Sequence, residues 1–235
     1  MGWLNSHSSR VTAGVSGLAA PWADCQGESV LAQLQHGVRY LDLRAVWVDG
    51  AEQRRALGLP DGGADWLVTH TLLGGRIEDV FVQVAAFLAT HPREVVLLDL
   101  QHVKAAPSVK AHMDLLGAVQ KHLAPFVAPP SLGRDVTYGA LISGGHAAIV
   151  FYPLHTAEAD FPGAGVGSFA QRIGCWHRGG GVLASPWPKV GTLEGLLSKL
   201  GPLCEAAGDA TARDDASHIF VLTWIFRDFL CCKAW

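Results

Sequence analysis

The stretch EVVLLDLQH, residues 94 to 102, constrains this chain more than any other. Valine and leucine fill it almost without a break, and one acid, Asp99, stands inside it. A strand wetted on one side alternates apolar and polar residues, whereas a run like this suits a parallel strand covered on both faces. It follows IEDVFVQVAAFLATH (77–91), an amphipathic helix with Val80, Val84, Phe87 and Leu88 on one stripe. His91-Pro92 ends that helix, because a residue before proline avoids helical angles.

The same alternation recurs along the chain. ESVLAQLQH (28–36) has helical spacing, and a strand over 38–45 follows it directly. After a Gly-rich loop holding PDGGAD, WLVTH (66–70) reads as a short strand. A helix over 108–123 precedes AAIVFY (147–152), a strand. VLASPW (182–187) is a further strand, TLEGLLSKL (192–200) a helix, and HIFVLTWIF (218–226) a last strand. Residues 153 to 181 are Gly-rich and without periodicity, so they read as one long loop. Repeated strand-then-helix units imply an α/β fold with a parallel sheet, either doubly wound or a TIM-type (β/α) barrel. The 235 residues are read as one domain, 1–235.

Composition narrows the functional classes. Apolar residues make up 49% and charged residues 17%, enough for a core and against bulk disorder. A formal charge of −3 argues against a nucleic-acid partner, which needs a basic stripe. No apolar run is long enough to span a bilayer, and no secretory signal follows Met1. The five cysteines, Cys25, Cys175, Cys204, Cys231 and Cys232, form no CxxC pair and read as reduced thiols. The expectation is an intracellular, cytoplasmic protein with peripheral membrane contact. Among eight tryptophans, Trp22 and Trp66 are expected in the core, while Trp176 and Trp187 fall near the mouth, where they could meet lipid.

Polar residues collect at the strand ends. LNSH ends in His7, YLDLR carries Asp42 and Arg44 on one face, WLVTH ends in His70, and the 94–102 strand holds Asp99 and Gln101 on one face and ends at His102. In parallel α/β folds that edge binds ligands. Two imidazoles and a guanidinium form a set able to transfer a phosphoryl group, one histidine accepting a proton and the other donating one. The same residues also read as hydrogen-bonded strand-end histidines around a buried Asp42–Arg44 pair.

Three stretches resemble the phosphatidylinositol-specific phospholipase C X-domain family. These are QLQHGVRYLDLRA (33–45), the segment from His70 through GGRIEDVFVQVAAFLATHPREVVLLDLQH, and SPW (185–187) before a Leu-rich helix. The resemblance implies a TIM-type barrel, irregular and incomplete at its C-terminal end, since no eighth strand is evident. It implies a phosphoric diester hydrolase acting on a phosphatidylinositol-like lipid. His7 would be the general base on the inositol 2-hydroxyl and His70 the general acid on the diacylglycerol oxygen. Arg44, beside Asp42, would hold the phosphate where metal-dependent relatives bind calcium with Glu-x-Asp, so no cofactor is expected. Asp99, Gln101 and Trp187 would line the substrate. Ser8 stands where the family has Asp or Asn after the first histidine, which favours a second possibility, a headgroup-binding module without turnover. CWHRGGG (175–181) contains the His-Arg-Gly of glycerophosphodiester phosphodiesterases, but it lies late in a Gly-rich region without their metal-binding Glu-x-Asp.

Overall fold

In a computed structural model the fold is described for residues 27–49, 54–55, 62–70, 72–179, 183–184, 192–208 and 219–220. Its centre is a six-stranded sheet. Helix α1 (Val30–Gln35) leads into β1 (Tyr40–Val48); β2 (Asp65–His70) and β3 (Leu72–Arg76) follow. Helix α2 (Ile77–Thr90) precedes β4 (Val96–Lys104), and α3 (Val109–Leu123) and the short α4 (Tyr138–Ser143) precede β5 (Ala148–Tyr152). Two short helices, α5 (Leu154–Asp160) and α6 (Val166–Arg172), lead to β6 (Trp176–His177). The strand order is β3-β2-β1-β4-β5-β6. A separate pair joins β7 (Leu183–Ala184) to β8 (Ile219–Phe220), with α7 (Leu193–Gly208) between them in sequence.

The sheet is mixed, which corrects the parallel reading. β1, β4, β5 and β6 run parallel, but β2 is antiparallel to β1 and β3 is antiparallel to β2. One residue, at position 71, separates β2 from β3, and a parallel crossover needs a dozen or more. The described strands leave this sheet unclosed. The expected loop over 153–181 is also corrected: it holds α5, α6 and β6. Both helices have seven residues, too short to show a 3.6-residue period.

Helices cover one face. Leu41, Leu43 and Ala45 of β1, Leu98 and Leu100 of β4, and Val150 and Tyr152 of β5 share a core with Leu34 of α1, Phe81, Val84 and Phe87 of α2, Leu115 and Val119 of α3, and Val166 and Ala170 of α6. On the opposite face a smaller cluster gathers Ile149, Phe151 and Trp176 with Leu141 of α4. Trp66 is core as expected; its indole N–H donates to the Ala111 carbonyl at 2.7 Å, and its ring meets Trp47 edge-on at 5.4 Å. Trp176, expected at a lipid-facing mouth, is instead 4% exposed, and its indole N–H donates to the Ala128 carbonyl at 2.7 Å. A buried indole N–H finds a partner inside the protein, and this one has. Trp22 and Trp187 lie outside the described residues.

Two polar braces fix this frame. Arg39, just before β1, donates from Nε to Glu94 at 2.8 Å and from Nη1 to the Leu34 carbonyl at 2.6 Å, with its guanidinium 4.7 Å from the Phe87 ring centre. It thereby ties α1, α2 and the approach to β4 to the start of β1. Glu78, in the first turn of α2, accepts from Lys121 and His122 at the end of α3, each at 2.8 Å, and from Arg76 at 2.8 Å.

The second brace makes stability depend on pH. Hydrogen bonds from His122 and Lys121 hold the Glu78 carboxyl down at about 2. Its folded pKa lies below the unfolded one, so its contribution is present above about pH 4.3 and fades as pH falls toward the folded value. Glu78→Gln should therefore lower the urea midpoint at about pH 6 and cost progressively less toward about pH 3. An equal deficit at both ends would contradict the brace.

Candidate active site

The face of the sheet away from the main helical core carries the polar residues. β1 turns Leu41, Leu43 and Ala45 to the helices, so alternation gives Tyr40, Asp42 and Arg44 to the other side. Asp42 accepts from Arg44 Nη2 at 3.3 Å and from Nε at 3.5 Å. The two lie on one face, as their spacing requires, and both are partly exposed.

Asp99 pairs with Asp42 across the parallel ladder, so two carboxylates stand side by side on adjacent strands. Each has its own arginine. The Asp99 side chain is 0% exposed; it accepts from Arg178 Nε at 2.7 Å and from the Tyr40 hydroxyl at 2.7 Å. Burial raises its carboxyl above the usual range despite both hydrogen bonds, and Asp42 adds to the rise. Burial and the bond to Asp99 likewise raise the Tyr40 phenol. Arg178 follows β6, where its backbone N–H donates to the Tyr152 carbonyl at 3.0 Å. The sequence marks it only as the arginine of His-Arg-Gly and gives no sign of its partner, which lies 79 residues earlier. The His-Arg-Gly run is thus the end of a strand and its arginine.

The β1–β4 ladder slips by one residue. Leu43 pairs with Leu100, but Arg44 pairs with His102. Gln101 is the extra residue, and it is buried. Such a bulge re-aims the residues beyond it. Val103, three residues after Leu100 and not two, joins the helix-face core. His102 and Lys104 accordingly align with Arg44 and Val46, and both are exposed. Strict alternation puts His102 behind the polar face; the slip sets it level with Arg44 instead.

His70 ends β2, on the other flank of β1. Burial and then the Arg44 charge lower its imidazole pKa; Asp42 acts in the opposite sense and Lys104 in the same sense. His102 is lowered by burial, then by Arg44 and Lys104. Arg44 thus acts on an imidazole from each neighbouring strand. Because β2 is antiparallel, His70 reaches this region by running back along β1, and not by sharing a C-terminal edge with it. Arg44, Lys104 and Arg178 act on His102 against Asp42, a local excess of positive charge. A surplus positive charge beside polarisable imidazoles suits an oxyanion such as phosphate. His7 lies outside the described residues, as does Trp187.

The Asp99–Arg178 pair gives a direct check. Arg178→Met leaves a fully buried carboxylate without its cation and should cost about 3 kcal/mol in urea unfolding. Adding Asp99→Asn should recover most of that loss, since the buried charge is gone. A double variant no more stable than Arg178→Met alone would contradict the pairing.

No family model matches the chain. In sequence it is similar to PI-PLC X domain-containing protein 2 of Mus musculus, 26% identical over 138 residues, which are 59% of this chain and 37% of that protein. It is also similar to PI-PLC X domain-containing protein 1 of Homo sapiens, 31% identical over 132 residues, 56% of this chain and 37% of that one. A shorter match, 35% identical over 89 residues, links 37% of it to 20% of the variant-surface-glycoprotein phospholipase C of Trypanosoma cruzi. The chain spans less than half the length of these curated relatives. In fold it resembles a solved structure from work on membrane binding by S. aureus phosphatidylinositol-specific phospholipase C. That likeness has a TM-score of 0.56 and 12% identity, and covers 87% of this chain and 65% of that one. By sequence this chain is a homologue of the PI-PLC X domain-containing proteins, and it shares a mixed α/β fold with a phosphatidylinositol-specific phospholipase C.

Proposed function

We propose that the chain is a phosphoric diester hydrolase of phospholipase C type, cleaving a phosphatidylinositol-like lipid without a metal ion. The observation that carries this reading is Arg44, set on the polar face beside Asp42 with His70 on one flanking strand and His102 on the other. A guanidinium there supplies fixed positive charge to a phosphodiester, the part that a bound cation plays in other designs. The helices on the core side of the sheet and the cluster of Ile149, Phe151 and Trp176 on its other side suit a (β/α) barrel, in which the polar face would line the mouth.

In the proposed reaction the inositol 2-oxygen attacks phosphorus, and His7 takes the hydroxyl proton. The bond from phosphorus to the glycerol oxygen breaks, and His70 delivers a proton to that oxygen. The products are a cyclic inositol phosphate and diacylglycerol. Arg44 stabilises charge building on the non-bridging oxygens, and Asp42 orients Arg44. Asp99 acts on the substrate face through Arg178 and Tyr40, both of which it holds. Gln101, buried in the bulge, shapes the strand end, and Trp187 is assigned to the substrate rim, where it would meet the lipid surface.

An acid must carry its proton when the leaving group departs, yet burial and Arg44 disfavour the charged form of His70 in the free chain. A phosphodiester anion seated at Arg44 reverses this field and favours protonated His70. This neutrality also favours a second reading, a pocket that binds inositol phosphate headgroups without turnover.

Phosphorus NMR of the chain with phosphatidylinositol in mixed micelles and excess chelator separates the two. We expect a growing cyclic-phosphate resonance, cut by at least about 100-fold in His70→Ala and in Arg44→Ala. The alkaline limb of kcat should lie at higher pH than that of kcat/KM, because substrate raises the His70 pKa. Binding without any cyclic product, with chelator or with added calcium, would establish the headgroup-binding reading instead.

A further inference from the structure

The geometry points to His102 as a second imidazole in contact with the phosphate, an assignment that rests on the phosphate-binding face described under the proposed function. The β1–β4 ladder aligns His102 with Arg44 in a parallel pair, and aligned residues of parallel strands project to the same side. Val103 confirms the slip independently, since it lies with Leu100 in the helix-face core. Without Gln101 as the extra residue, His102 would project toward the helices and Arg44 would have only β2 to supply an imidazole. A bulge beside a functional group commonly serves to re-aim one side chain, and here the re-aimed side chain can donate an N–H to an oxyanion.

Its surroundings fit that task. His102 is exposed and feels Arg44, Lys104 and Arg178 against Asp42, the charges that surround the phosphate position. His70 feels three of these same charges from the opposite flank. A phosphate at Arg44 would therefore lie between strands that each offer an imidazole, with Lys104 two residues beyond His102 on the same side. The ligand class is a phosphate-bearing anion, whether a lipid headgroup or a free phosphate ester.

The test is histidine-resolved NMR of the whole chain, with inorganic phosphate exchanged for chloride at constant ionic strength. Exposed His36, beyond the end of α1, is the internal reference. We expect the His102 and His70 signals to move along one saturation curve while His36 stays still. His102→Ala should weaken the phosphate affinity read at His70 by about tenfold. A His102 signal that moves no more than that of His36 overturns the assignment, even in a chain that turns over phosphatidylinositol. A responsive His102 in a chain that releases no cyclic phosphate upholds the contact and removes the phospholipase reading.

Discussion

The one-residue slip between β1 and β4 decides what the polar face contains. Up to Leu43 and Leu100 the two strands keep step, and their apolar residues enter the helical core together. Past Gln101 the register changes, so Val103 returns to the core while His102 and Lys104 come round beside Arg44. An even ladder would have driven Lys104 toward the apolar helices and set Gln101, not an imidazole, beside Arg44. A single buried residue therefore reconciles the core of the fold with the charge of its site.

Around that slip the charges follow from proximity. Register brings Asp42 and Asp99 onto adjacent strands, where two carboxylates disfavour each other's ionisation. Each is answered by an arginine, Arg44 two residues along the same strand and Arg178 from β6. Tyr40 closes the buried end of the network through its hydroxyl. The exposed end keeps a local excess of positive charge, and Arg44 there lies within electrostatic reach of His70 and His102. Stability and site are thus built from the same residues: Asp99 anchors the strand that follows α6, and the same bond aims Arg178 over the polar face.

Much of this was legible in the sequence, and the exceptions share a cause. Helices α2 and α3 and strands β1, β4 and β5 are long or strongly patterned, so their periods survive in 77–91, 108–123, 38–45, 94–102 and 147–152. The spacing of Asp42 and Arg44 fixed their common face. Strand direction was not legible, because WLVTH reads the same whichever way it pairs with β1. α5, α6 and β6 are too short to show a period among their glycines. Arg178 and the re-aimed His102 depend on a partner 79 residues away and on a ladder register, neither of which any local pattern records. The resemblance to phospholipase C X domains, by contrast, rested on motifs within 33–102, the same region that builds β1 to β4.

The central claim is that Arg44, flanked by imidazoles from β2 and β4, forms a phosphate site. A crystal structure grown with inositol 1-phosphate tests it most directly. The account predicts phosphorus density beside the Arg44 guanidinium, with His70 and His102 on either side and Asp99 still closed on Arg178. Phosphate bound elsewhere on the chain, with Arg44 and both imidazoles untouched, would contradict it.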